Sequence, residues 1–395
     1  MMLGELADIG RDPVRGGYSR HGFTAAELTL REWFVEAAER VGLQPETDRN
    51  GNIWAWWDDR RGPDALVTGS HLDSVPGGGA FDGPLGVTSA LAAVRELRAA
   101  GFAPARPLAV AVFVEEEGGR FGLPCLGSRL LTGALPAADA LRRTDPDGIP
   151  LAAAMRAAGL DPERAGAEPE LLAGIGAFVE LHVEQGTLLA PSGAAVGVAT
   201  GIVAHGRWRF RVTGQGNHAG TTAMDARRDP MPAAAGAVLA AREIAVEHGS
   251  RATVGRLRPT PGGTNVIASA VDFWLDARDD TEQRVRATVD AIAAAAHRLA
   301  AAEGCTLDIV EESSSGRVDF PAPLRDELAA LLGDAPQVPT GAGHDAGVLA
   351  AHVPSGMIFV RNPTGISHAP AEHAEPDDCA AGVRALTAVL RQLAR

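Results

Sequence analysis

The sequence predicts an α/β protein: a mixed, mostly parallel sheet flanked by helices, interrupted by a smaller inserted α+β domain. Three observations carry this. Short continuous apolar runs at 65–68, 107–114, 176–181 and 356–360, with an Ala/Leu-rich helical stretch at 85–100 between the first two, have the pattern of strands buried on both faces. Residues 206–313 instead follow the order strand, helix, strand, strand, helix, strand, that of a ferredoxin-like layer. The length, 395 residues, leaves room for two or three cores at roughly 100–200 residues each.

In chain order, Thr24 and Glu27 form a capping-box pattern ahead of apolar Leu28, Trp33, Phe34, Ala37 and Val41, with Gly42 as the stop, which predicts a helix. Asn50-Gly51 before Ile53, Trp54, Ala55, Trp56 and Trp57 predicts a hairpin with strands of about five residues. The buried strands and the 85–100 helix follow. In the insert, strands are expected at 207–212, 252–257, 266–277 and 306–310, and helices at 231–247 and 281–301. These elements give a larger domain of residues 1–204 and 315–395 around an inserted domain, 205–314.

Composition removes several function classes. All 36 basic residues are Arg, so chemistry that needs a Lys amine, such as Schiff-base and pyridoxal catalysis or the P-loop and kinase phosphate cradles, is excluded. A net charge of -14 disfavours nucleic acid and anionic membrane as partners. Three scattered cysteines, Cys125, Cys305 and Cys379, fit a reducing compartment, and the N-terminal residues lack the apolar core of a signal peptide, so a cytoplasmic location is expected. The uncharged run 185–204 is broken by Pro191, Ser192 and several glycines, which argues against a spanning helix.

Each apolar run ends in polar residues able to do chemistry: GSHLDS, EEEGGRF, HVEQG and, a little later, TGISHAPAEH. Open α/β sheets place their sites at the carboxyl ends of strands, so four distant segments converge on one site. In an extended segment, residues two apart share a face, so Asp73 can orient the imidazole of His71. By itself that pair supports no more than a packed histidine. Asp82 opens a helix after a glycine-rich loop, where an ordinary N-cap also stands. Glu115, Glu116 and Glu117 at a buried strand end repel one another unless cations or protons neutralise them. With His182 and His368, these make an N/O ligand set that suits a hydrolytic pair of Zn, Mn, Co or Ni ions. GxSxG, HExxH and GxGxxG motifs are all missing, which leaves metal-assisted hydrolysis as the best-supported reaction class.

The blocks GSHLDSVPGGGAFDGPLGV, EEEGGRFG, ELHVEQG, GNHAGTTAMDARRDP, GGTNVIAS, LDAR, GHDA and GISHAPAE, in this order, resemble the hydantoinase/carbamoylase branch of the zinc-dependent aminoacylase and carboxypeptidase superfamily. The resemblance runs from about residue 15 to the C-terminus, with departures at Ala80, Gly216 and Ala223 that touch no proposed ligand. It implies a metallopeptidase-like catalytic domain, a dimerisation role for the insert, and a homodimer carrying two divalent ions per subunit. Asp82 would bridge the two ions, with His71 and His182 completing one site and Glu117 and His368 the other. Glu116 would be the general base that takes a proton from the attacking water. His218 would polarise the substrate carbonyl in the partner's site, and Asn265 and Arg278 would bind substrate, Arg278 clamping a carboxylate in bidentate fashion. Gln185 and Gly343 would line the pocket; Asp345 could simply cap a following helix. The activity implied is hydrolysis of the ureido C–N bond of a small anionic substrate, an N-carbamoyl-L-amino acid or allantoate, releasing ammonia and carbon dioxide. The alternatives are an N-acyl-amino-acid acylase or dipeptidase, or a catalytically inactive metal- or peptide-binding relative.

Overall fold

The apolar runs become neighbours in one sheet. In the computed structural model, which describes residues 2–58 and 62–395, the chain divides into two compact units, Met1–Gly201 with Asp319–Arg395, and Ile202–Val318. The first unit begins with strands β1 (Leu43–Thr47), β2 (Ile53–Trp57), β3 (Ala65–His71), β4 (Leu108–Phe113), β5 (Ile175–Val183) and β6 (Val196–Ile202). Next come β7 (Ala204–Thr213), β8 (Asn217–His218), β9 (Arg251–Thr260), β10 (Val266–Ile267), β11 (Ala270–Asp279) and β12 (Thr306–Ser315), followed by β13 (Val318–Asp319), β14 (Gln337–Thr340) and β15 (Ser355–Val360).

A nine-stranded sheet runs β1-β2-β4-β3-β5-β15-β6-β13, with β14 paired to β6. Its centre, β4-β3-β5-β15, is parallel, whereas β1 pairs with β2, β2 with β4, and β15 with β6 in antiparallel fashion. Alternation splits each strand between two faces. Ile53, Ala55, Trp57, Val110 and Val112 join the larger core with the helices Ala25–Arg40, Pro84–Ala99 and Pro376–Leu393. On the other face Trp54 meets Phe113 edge to face at 5.8 Å, and Phe113 meets Phe178 at 5.7 Å. Burial of each such ring is worth about 1.5–3 kcal/mol. Since the four central strands run the same way, the residues that follow them emerge at one edge, with His71 level with Phe113 and His182 level with Phe359.

The expected capping box does not form. Thr24 gives the helix Ala25–Arg40 no side-chain cap; its hydroxyl donates to His21 O at 2.7 Å, while Glu27 accepts from Phe23 N at 2.9 Å. The pattern marked the helix start correctly, but the turn at 21–24 offers the hydroxyl a nearer acceptor.

In the second unit, a four-stranded antiparallel sheet of order β12-β7-β11-β9 carries the helices Pro230–His248 and Glu282–Ala302. That is the ferredoxin-like arrangement. The single strand expected at 266–277 is two: β10 pairs with β8 and β11 joins the main sheet. Asp229 caps the first helix by accepting Met231 N, and Thr281 caps the second by accepting Arg284 N. Phe210 and Phe273, on adjacent strands, stack at 4.9 Å within the core. Among the described residues, no helix is long and apolar enough to cross a membrane.

Candidate metal centre

Asp82 sits among three histidines. Its Oδ1 lies 3.5 Å from His71 Nε2 and 3.2 Å from His182 Nε2, and its Oδ2 lies 3.4 Å from His368 Nε2, which is also 3.3 Å from Glu117 Oε2. Two overlapping groups result, His71-Asp82-His182 and Asp82-Glu117-His368, sharing the one aspartate. His71 ends β3, His182 lies near the end of β5, Glu117 follows β4 and His368 follows β15. The connecting backbone is unusual where it must aim a side chain: Glu115 and His368 have φ of +52° and +55°. Gly83, at φ +82°, leaves room for His71, since a Cβ there would come 2.6 Å from the imidazole.

Hydrogen bonds fix how the candidate ligands face. His71 Nδ1 donates to Asp73 O at 3.1 Å and His182 Nδ1 to Val183 O at 2.9 Å, so both rings leave Nε2 to face Asp82. The carboxylate of Asp73 does more than the sequence suggested. It stands 3.6 Å from His71 Nδ1, while its Oδ1 accepts Glu116 N at 3.1 Å and its Oδ2 accepts Glu117 N at 3.0 Å. The backbone oxygen of Asp73 orients the ring, while its carboxylate lies beside the imidazole, favouring its charged form, and clamps the acidic loop.

The donor set fits divalent cations. His71 Nε2, His182 Nε2 and Glu117 Oε1 are buried without a hydrogen-bond partner. Burial, together with the surrounding carboxylates, pushes Glu116 well above the usual carboxylate range and Glu117 up to about 7. His71 and His182 are raised despite burial, by Glu116 and Asp73 in one case and Asp82 in the other, and His368 reaches about 9 against its burial through Asp82 and Glu117. Asp82 is held well below its ordinary value by His182, His368 and His71, which outweigh burial. Acids that hold protons beside histidines that gain them mark a site short of positive charge, which a cation supplies.

The other predicted residues divide between the units. Glu116 is 5% exposed, with Oε2 3.7 Å from His71 Nε2 and Oε1 accepting from Cys125 Sγ at 3.5 Å. Gln185 donates to Asp82 Oδ2 at 2.9 Å, while Gly343 is exposed on the loop before the helix Asp345–Leu349. In the second unit, β8 and β10 set His218 opposite Val266, and Ala219 N donates to Asn265 O at 3.0 Å. His218 Nδ1 accepts from the backbone of Gly220 and Thr221. Arg278 makes a two-pronged ion pair with Asp276, Nε to Oδ1 at 2.7 Å and Nη2 to Oδ2 at 3.0 Å.

Asp345 does not cap its helix; His344 holds the N-cap position and Asp345 turns inward, where its Oδ1 accepts Ser128 Oγ. Burial and the repulsion of Glu180 push its carboxyl up to about 8. Sequence reasoning also passed over Glu180, which accepts from Ser70 Oγ at 2.7 Å, and Glu372, which accepts from Phe81 N and Asp82 N. Glu180 sits two residues before His182 on a buried strand, a signal that was there to be read. His344, 3% exposed, packs its ring 4.6 Å from that of His182.

A mixed sheet with paired histidines and carboxylates at the ends of its parallel strands defines a metal-dependent hydrolase of the α/β type. The chain belongs to peptidase family M20/M25/M40, which it matches over residues 67–392. It is 39% identical over 407 residues to the N-carbamoyl-L-amino acid amidohydrolase of Geobacillus stearothermophilus, covering 100% of this chain and 97% of the relative. With the allantoate amidohydrolase of Escherichia coli (strain K12) it shares 33% identity over 408 residues, 98% of this chain and 96% of the relative. The crystal structure of a hydantoinase/carbamoylase family amidase from Burkholderia vietnamiensis superposes with a TM-score of 0.90 at 31% identity, covering 99% of this chain and 95% of that one. The hydantoinase/carbamoylase branch expected from the motifs agrees with all three.

Proposed function

We propose that this enzyme hydrolyses the ureido C–N bond of a small carboxylate, an N-carbamoyl-L-amino acid or allantoate, with release of ammonia and carbon dioxide. The observation that carries the reading is Asp82 shared between two ligand groups, one with His71 and His182 and one with Glu117 and His368, in a chain similar over its full length to amidohydrolases of such substrates. The five side chains would hold two divalent ions, Zn, Mn, Co or Ni. Bound there, the ions would polarise the ureido carbonyl and acidify water.

The chain's own residues supply the rest. Glu116, buried at the edge of the cluster, would be ionised once cations occupy the site, and is then placed to take a proton from the attacking water and return it to the leaving nitrogen. Two backbone N–H groups occupy His218 Nδ1, so the neutral ring carries its proton on Nε2, ready to donate to a carbonyl oxygen as charge builds there. In the homodimer we infer, His218 of the partner subunit would play this part, with Asn265 and Arg278 binding the substrate carboxylate. Gln185 and Gly343 would line the pocket. Three buried free cysteines support a cytoplasmic location.

The test is ammonia release by metal-reconstituted protein from allantoate and from several N-carbamoyl-L-amino acids, each repeated with chelator. Chelator-sensitive release is expected. Release of acetate or amino acid from N-acetyl-amino acids or dipeptides, with no ammonia from any ureido compound, would overturn the reading in favour of an acylase or dipeptidase.

A further inference from the structure

A carboxylate outside the ligand set joins two of the candidate ligands. Glu372 comes four residues after His368 and is 5% exposed. Its Oε1 accepts the backbone N–H groups of both Phe81 and Asp82, each at 3.0 Å. Next to it, the ring of His373 meets Phe81 edge to face, centroids 6.1 Å apart. The fit between the two loops is close: a Cβ at Gly79 would fall 2.3 Å from Glu372 Oε1 and 2.5 Å from its Cβ, so any side chain at position 79 would push the carboxylate away.

Burying a carboxylate is costly unless its partners answer the charge. Here the partners are two amides just ahead of the helix Pro84–Ala99, where the helix dipole presents its positive end. The second oxygen, Oε2, is buried with no hydrogen-bond partner. One oxygen therefore makes both bonds, and both go to the backbone that carries Asp82.

We propose that Glu372 is a positioning residue, which fixes the Asp82 carboxylate among the three histidines by holding the amides of Phe81 and Asp82 and ties that loop to the one bearing His368. The proposal rests on the metal-centre reading above and goes beyond it, since Glu372 would touch neither ion nor substrate. It predicts that the acceptor oxygen matters and the charge is secondary.

The experiment compares Glu372→Gln and Glu372→Leu with the parent, with zinc as the probe. Zinc dissociation constants are read by competition with a chromophoric chelator, and the melting temperature of each chelator-stripped protein is measured separately. Glu372→Gln keeps an oxygen for both amides and should bind zinc about as tightly as the parent. Glu372→Leu should bind it about 10- to 100-fold more weakly, with a loss of kcat at saturating zinc that Glu372→Gln restores. A merely structural role would lower the stripped melting temperature and leave the zinc constant of the folded protein unchanged; that result, or equal weakening in both variants, overturns the proposal. Should Glu372→Leu fail to fold, Gly79→Ala displaces the carboxylate without removing it and must weaken zinc binding, an unchanged constant again overturning the proposal. If the parent itself binds no zinc, the metal-centre reading falls, and the positioning role with it.

Discussion

Asp73→Asn tests whether one buried carboxylate holds the acidic loop in place. Asp73 is 1% exposed and uses one oxygen for Glu116 N and the other for Glu117 N. Asparagine keeps one acceptor and sets an N–H donor against the second amide, so one hydrogen bond is lost and two donors are left facing each other. Hydrogen bonds to charged groups contribute about 1.5–3 kcal/mol each, which sets the expected loss. An opposing effect exists: the Asp73 charge helps push Glu115, Glu116 and Glu117 up, so neutralising it relieves repulsion. Bound cations would already answer that repulsion, so the relief should count mainly in chelator-stripped protein. Urea unfolding followed by tryptophan fluorescence should therefore show a loss of about 1.5–3 kcal/mol in metal-loaded protein and a smaller loss in stripped protein, at unchanged m value. An unchanged midpoint in the loaded protein would refute the clamp, and a larger loss in the stripped protein would refute the electrostatic account.

Glu116→Gln should keep its metal, measured by elemental analysis, and lose about 10²- to 10⁴-fold in kcat; near-parental turnover would remove Glu116 as the base. If the chain forms the proposed homodimer with shared sites, mixing the His218→Ala and Glu116→Ala proteins under exchange conditions should recover about a quarter of parental activity, because each mixed dimer would hold one complete site, whereas no recovery would exclude a shared site. Burial and Glu180 push the Asp345 carboxyl from its ordinary 3.8 up to about 8, so the folded state holds its proton longer than the unfolded state and stability falls as pH rises between those values. Asp345→Asn, which mimics the protonated acid, should thus gain on the parent as pH rises, by about 1.4 kcal/mol between pH 7 and pH 9, where only the last unit below the folded pKa remains; parallel stability–pH curves for the two proteins would count against a protonated Asp345.

Much of the fold was legible because burial on both faces leaves a local trace. The runs at 108–113 and 355–360 are wholly buried strands, and the polar residues after them had to emerge where parallel strands end. The Asn50-Gly51 turn fixed the hairpin, with Thr47 opposite Ile53. In the insert, the βαββαβ order implied the sheet, but Ala268 and Ser269 carry no turn signal that would mark the break between Val266–Ile267 and Ala270–Asp279.

By itself, the sequence determined the elements, their order and the residue types able to hold metal, since side-chain chemistry and periodicity are properties of short segments. Tertiary structure alone decided which carboxylate serves which neighbour. Asp73 spends its oxygens on amides 43 and 44 residues away, Asp345 turns from a helix end to Ser128 at a separation of 217, and Glu372 reaches the Asp82 amide across 290 residues. A buried carboxylate bonds whichever N–H groups come within about 3 Å, and those are set by how distant loops pack, which no local spacing records.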